Sequence, residues 1–273
     1  LSLVVRAHEI QLAEAYKRIN QAQQEKDQYA VLMTHQLKSP LDAIRSKINL
    51  IKGGYCGEVP SDLKETLLKI DLRATNMAGL ILDLLKLQRL KETCLCTAEI
   101  QPVNIQHSLQ KCVDNLTPVI NNKAITLNVS LNNFIFQGIP DQVEILFENI
   151  ISNAIAYSHK NGSVEITSDL DIKNKSATLT IIDHGIGIDS DDLPNIFNEY
   201  FYSPRAALHN KASSGVGLSI VKIAAENNNL HINVTSEPGE GTAFTIIFPE
   251  IQIPASTDKT DSTATFGNPL QQP

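Results

Sequence analysis

Ile181-Ile182-Asp183-His184-Gly185-Ile186-Gly187-Ile188 sets one carboxylate at the end of an apolar strand and follows it with two glycines one residue apart. A buried carboxylate can accept a hydrogen bond from an exocyclic amine, and glycine lets backbone approach a flat ring closely. Asp-x-Gly-x-Gly is equally an ordinary turn signal. The neighbouring sequence has to decide between the two.

Outward from that stretch, short β-like runs alternate with helical patterns. Residues 125–131, 134–136, 163–168, 177–182, 230–235 and 243–248 read as strands, and 103–123, 141–158 and 216–227 as helices. This predicts an α/β layer domain over 98–250, with a mixed sheet covered by helices on one side. Residues 251–273 are rich in Ser, Thr, Asp, Pro and Gln and read as a disordered tail.

The N-terminal third has a different texture. Val5, Leu12, Ile19 and Met33 recur in one heptad register and Ala15, Ala22 and Tyr29 in another, which predicts a signalling coiled coil over 1–29. Lys26 interrupts the first register, and a single helix packed on an upstream domain would also fit. The helical pattern continues to Lys52, where Gly53, Gly54, Gly57 and Pro60 break it. Ser61 can cap a second long helix whose stripe runs Leu63, Leu67, Ile70, Ala74, Met77, Ile81, Leu84, Leu87. The hairpin over 30–95 buries little surface alone. Two of them make a four-helix bundle, so a homodimer is expected.

At 273 residues, 42% hydrophobic and 19% charged, the chain is long enough for two domains of about 150 residues each. A net charge of −7 argues against a broad face for nucleic acid. Cys56, Cys94, Cys96 and Cys112 form no CxxC pair and read as free thiols. The chain opens on Leu1 in mid-pattern and reads as a piece of something longer. It contains no apolar run of the about 20 residues a membrane span needs.

Four further motifs bear on chemistry. On the first hairpin helix, Thr34-His35-Gln36-Leu37-Lys38-Ser39-Pro40 sets His35 just before a proline that frees the Gln36 carbonyl, with Ser39 one turn beyond. A neutral imidazole is a usable nucleophile near pH 7, although most helical histidines are surface residues. In 141–158, Asn149 and Asn153 share a face opposite Ile150, Ile151 and Ile155. Amide oxygens suit a Mg²⁺ that already carries phosphates, or merely a wet surface. Gly215 and Gly217 open a helix, as an anion site or as a flexible cap. Gly239-Glu240-Gly241-Thr242 joins the last two strands, for which a plain hairpin would suffice.

Taken together, the order of these motifs resembles the transmitter region of a two-component sensor histidine kinase. His35–Pro40 matches the phosphoacceptor motif, Asn149–Tyr157 the asparagine motif, Asp183–Gly187 and Gly215–Gly217 the two glycine motifs, and Ile196, Phe197, Glu199, Tyr200 and Phe201 the phenylalanine motif. The resemblance implies a dimerising phosphotransfer bundle followed by a Bergerat-type ATP-binding sandwich. Asp183 would bind the adenine amino group with Thr242 beside it, and Tyr157 would cover the base. Gly185 and Gly187 would admit the ring. Asn153 would hold Mg²⁺, Asn149 would support the phosphates, and the amides around Gly215 and Gly217 would cradle them beneath a lid at 197–215. ATP would phosphorylate His35, and a response-regulator receiver domain would take the phosphoryl group. A cytoplasmic location follows, with membrane contact only through any upstream segment.

The same resemblance exposes four departures. Gln36 stands where relatives carry an acidic residue to take the histidine proton. Ala156 replaces a basic residue, for which Lys160 is the expected substitute, and Tyr202 replaces an arginine, with Arg205 near. Ser213 replaces a glycine. A slow kinase is the expectation. The alternative is a regulatory module that mainly docks or dephosphorylates a response regulator, with ATP as a conformational ligand and Ser39 positioned for phosphatase work.

Overall fold

The computed structural model describes residues 39–57, 59–92, 99–209, 215–254 and 263–266. The chain divides into two compact units, Leu1–Glu92 and Thr93–Pro273. The expected coiled coil, His35 and Gln36 lie outside the described residues.

Over its described residues the first unit is a helical hairpin. Helix α1 covers residues 39–52 and helix α2 is Ser61–Glu92. Between them the Gly53 amide donates to the Asn49 carbonyl at 2.9 Å, and Gly54 and Gly57 take positive φ, so the break falls where the glycines predict it. Asp71 of α2 ties the helices by meeting Lys52 at 3.2 Å and Arg45 at 3.5 Å. Of the predicted stripe, Leu67, Ala74 and Leu87 are buried, whereas Leu63, Ile70 and Met77 remain exposed. One partner helix covers only part of a stripe this wide.

The second unit is an α/β sandwich. Strands β1 (Gln101–Asn104) and β3 (Ile135–Gly138) pair with each other, beside a six-stranded sheet. That sheet runs β6 (His231–Glu237), β7 (Gly241–Phe248), β5 (Ser176–Asp183), β4 (Ser163–Asp171), β2 (Thr126–Ser130), β8 (Thr263–Phe266). The β2–β4 pair is parallel and the others are antiparallel, so the sheet is mixed as expected. Helices α3 (Ile105–Lys123), α4 (Pro140–Tyr157) and α6 (Gly217–Asn227) pack beside one another through α4, which rests on β5. A one-turn 3₁₀ segment at Leu193–Asn195 and a short helix α5 (Pro204–His209) lie between β5 and α6 in the chain.

Strand periodicity explains the layering. Along β5, Ala177, Leu179, Ile181 and Asp183 are buried while Thr178, Thr180 and Ile182 are half-exposed. The register that buries Ile181 therefore buries Asp183 as well. On α4, Val143, Leu146, Phe147, Ile150, Ile151, Ala154 and Ile155 are all buried, the larger ones contributing roughly 1.5–3 kcal/mol each. Phe248 packs edge-on against Phe134 and Phe136 with ring centroids 5.1 Å apart. The buried Asn228 accepts from the Ile139 amide at 2.7 Å and donates to Gln142 and the Ala224 carbonyl, joining the end of α6 to the start of α4.

Two expectations need correction. The helix predicted over 103–123 begins at Ile105, because Pro102 to Asn104 belong to β1 and the Asn104 side chain caps the helix by accepting from the His107 amide. The tail read as disordered from 251 contributes structure: Gln252 bridges Ile135, Ile251 donates to Lys175, and Thr263–Phe266 pairs with the edge of β2. Composition fails there because an open sheet edge supplies hydrogen bonds that a polar segment can use without a core of its own.

Candidate functional site

The predicted residues of the second unit gather where β5 ends. Asp183 is 4% exposed. Its Oδ1 accepts from the Gly185 amide at 3.0 Å. Burial pushes its carboxyl up to about 6, while the Gly185 and Thr242 amides, His184 and Lys123 pull it back. Thr242 is the register partner of Asp183 across β5 and β7, and its hydroxyl lies 2.9 Å from that of Ser236. A carboxylate held in this way is an acceptor with little competition from water.

Glycine is required around it. Gly187 has φ +65° and a Cβ there would meet the Glu237 carbonyl; Gly241 has φ +120° and a Cβ would meet the Asp183 carbonyl. At Gly185 the obstacle would be the Tyr157 carbonyl, whose oxygen also accepts from the Ile186 amide. The Asp-x-Gly-x-Gly stretch is thus laced to the end of α4 and to the β6–β7 hairpin. More than an isolated turn is at work here.

Along α4, Asn149, Asn153 and Tyr157 follow at successive turns and all are half-buried, opposite the buried Ile150, Ile151, Ala154 and Ile155. The Asn149 amide nitrogen donates to the Ile145 carbonyl at 2.7 Å, which leaves its Oδ1 beside the first residue of α6, Gly217. The N-terminus of α6 carries no side-chain cap. Its first-turn amides and dipole are suited to an anion. The stripe thus runs from the buried carboxylate at one end to an uncapped helix terminus at the other.

The Tyr200 amide donates to the Gly215 carbonyl at 3.0 Å, joining two ends of the stretch expected to form a lid. Nearby in the chain, His209 of α5 faces Tyr157 with ring centroids 6.2 Å apart and also meets His159 at 6.4 Å. Nothing in the local sequence singles out His209. The same holds for Lys123, at the end of α3, whose ammonium donates to the Ile155 and Ala156 carbonyls at 2.8 and 2.6 Å. Lys160, the expected substitute for a base at Ala156, is exposed. Arg205 sits 3.5 Å from Asp189. Ser213 lies outside the described residues, and Ser39 is an exposed residue at the described start of α1.

Burial raises the Cys112 thiol to about 12, so it is inert, and Cys56 is free and exposed. Among the described residues no cluster of His, Cys, Asp and Glu could by itself hold a metal, and no helix is long and apolar enough to cross a membrane. A divalent cation here would depend on neutral amides and on ligand phosphates, which the Asn149–Asn153 pair suits.

The chain is similar to proteins of known class. Residues 138–252 match the family described as histidine kinase-, DNA gyrase B- and HSP90-like ATPase. The signal transduction histidine-protein kinase ArlS of Staphylococcus aureus strain USA300 is 29% identical over 236 residues, covering 86% of this chain and 51% of that protein. The chain therefore spans about half the length of the curated relatives it matches. Full-length ShkA in complex with AMPPNP superposes with a TM-score of 0.62 at 17% identity, over 84% of this chain and 47% of that one. The Acinetobacter baumannii histidine kinase AdeS gives 0.54 at 19% identity, over 79% and 98%. At these identities the two structures speak for the fold.

Proposed function

From a chain that carries a histidine kinase-, DNA gyrase B- and HSP90-like ATPase domain and is homologous to the sensor histidine kinases, we propose a transmitter that phosphorylates its own His35 from Mg-ATP and passes the phosphoryl group to a response-regulator aspartate. The observation that carries this reading is the continuous path from the buried Asp183, through Tyr157, Asn153 and Asn149, to the uncapped start of α6. Its polarity suits a purine at one end and a polyphosphate at the other. Asp183 accepts from the base amine, Gly185 and Gly187 let the ring lie against backbone, and Tyr157 covers it. Asn149 and the amides from Gly215 to Gly217 receive the phosphates. Asn153 would hold Mg²⁺, which offsets phosphate charge.

In the transfer, Nε2 of neutral His35 attacks the γ-phosphorus, the bond to the β–γ bridging oxygen breaks, and ADP leaves with that electron pair. The imidazole proton passes to water, because Gln36 can accept a hydrogen bond but cannot take a proton. The exposed Ile70 and Met77 on α2 support a homodimer built from two hairpins.

Incubation with γ-labelled ATP and Mg²⁺ tests the reading. Acid-labile, alkali-stable label that disappears in His35→Gln supports it. Nucleotide binding without label overturns the kinase and favours the second reading, a module that docks or dephosphorylates a response regulator. The exposed position of Ser39 and the absence of a base at Gln36 favour that alternative.

A further inference from the structure

We propose that Lys123 is a positioning residue of the adenine pocket, anchoring the last turn of α4 that carries Tyr157. This rests on the adenine site proposed above. Helix α4 ends without a basic residue in its last turn, so its terminal carbonyls need partners from elsewhere. Lys123 reaches across from the end of α3 and donates to two of them, Ile155 at 2.8 Å and Ala156 at 2.6 Å. Those residues immediately precede Tyr157, whose ring is to cover the base and whose carbonyl receives the Ile186 amide of the glycine stretch.

The ammonium is drawn from water for this task. Burial lowers its own proton affinity, and the Asp183 charge raises it again. The coupling is reciprocal, since Lys123 in turn favours the Asp183 carboxylate. The other groups facing Asp183 are the Gly185 and Thr242 amides and His184, itself 3.3 Å from Glu165. Of these, the Lys123 ammonium alone also binds the end of α4. That charge sits at the base end of the pocket, so Lys123 does not stand in for a phosphate-binding cation at position 156.

ADP binding to the whole chain, followed by calorimetry from pH 5 to 8.5, separates this role from mere support. Protonation of Asp183 weakens the acceptor and turns one oxygen into a donor, so wild-type affinity falls as pH drops through about 6. Ligand ionisation is common to all variants and cancels in their differences. Lys123→Met is expected to weaken ADP binding at every pH, because the carbonyls before Tyr157 lose their donor, and to move the midpoint upward, so that the loss is larger at pH 6.5 than at pH 8.5. Lys123→Arg should restore the wild-type profile. Unchanged ADP affinity in Lys123→Met, or a loss that Lys123→Arg does not restore, overturns the proposal. If Asp183→Asn leaves ADP affinity intact, the adenine site itself is wrong, which is a distinguishable failure.

Discussion

The rings of Tyr157 and His209 face each other at 6.2 Å with an interplanar angle of 31°, bringing α5 onto the side chain proposed to cover the base. His209 also reaches His159 at 6.4 Å, so three rings from two segments meet at this point. An aromatic contact of this kind is worth about 0.5–1.5 kcal/mol. His209→Ala should therefore speed hydrogen exchange of the amides in Pro204–His209 by about two- to tenfold, with exchange in α4 unchanged. Equal exchange in the two proteins would show that the ring contact does not hold α5.

Asp183 gives a prediction in which stability and function move in opposite directions. Its carboxyl is raised from an ordinary 3.8 to about 6 in the folded chain, mainly by burial. The native state therefore binds a proton that the unfolded state releases between those values. Stability from this group is full below about pH 4 and is lost as pH rises through about 6. Above that the buried charge costs at most about 3 kcal/mol. Asp183→Asn should raise the melting temperature at pH 7.5 while sharply weakening ADP binding, and the stability gain should shrink at pH 4.5. A variant less stable than wild type at pH 7.5 would refute the burial cost.

How much of this was legible in the sequence depends on the distance over which each signal acts. The strand ending in Ile181-Ile182-Asp183 was legible because period-two burial is a local property, and the face shared by Asn149 and Asn153 because helical spacing is too. Asn104 was misplaced because β1 exists only by pairing with β3, some thirty residues later in the chain. Lys123 was invisible for a similar reason. Nothing near it in sequence says that the carbonyls it caps belong to another helix. The partner of β8 is likewise nonlocal, so composition alone read 251–273 as a tail.

Asn228 shows the same nonlocality in energetic terms. Its side chain makes three hydrogen bonds, to Ile139, Gln142 and Ala224, in a buried setting. Removing it strands the Ile139 amide and the Ala224 carbonyl, each costing about 1–3 kcal/mol if left unsatisfied. Asn228→Ala is expected to lower the unfolding free energy by about 2–4 kcal/mol in urea titration. Because it lies at the far end of α4 from Tyr157, ADP affinity of the folded fraction should stay within twofold. A mild loss, below about 1 kcal/mol, would mean that water replaces the amide.

The hairpin carries the prediction on assembly. Ile70 and Met77 are 44% and 55% exposed on α2, while Leu67, Ala74 and Leu87 are buried against the same unit. Replacing a buried residue such as Leu87 by Ala should destabilise the hairpin whatever its oligomeric state, by about 2–5 kcal/mol. Replacing the exposed pair acts only on whatever covers them. Ile70→Glu with Met77→Lys should thus convert a dimer to a monomer in light scattering, without loss of helicity by circular dichroism. The opposite charges keep the double variant's net charge unchanged, so general repulsion between chains cannot account for dissociation. If the double variant stays dimeric, the association surface lies elsewhere. In that case the four-helix bundle is the wrong assembly, although the nucleotide site on the second unit would stand unaffected.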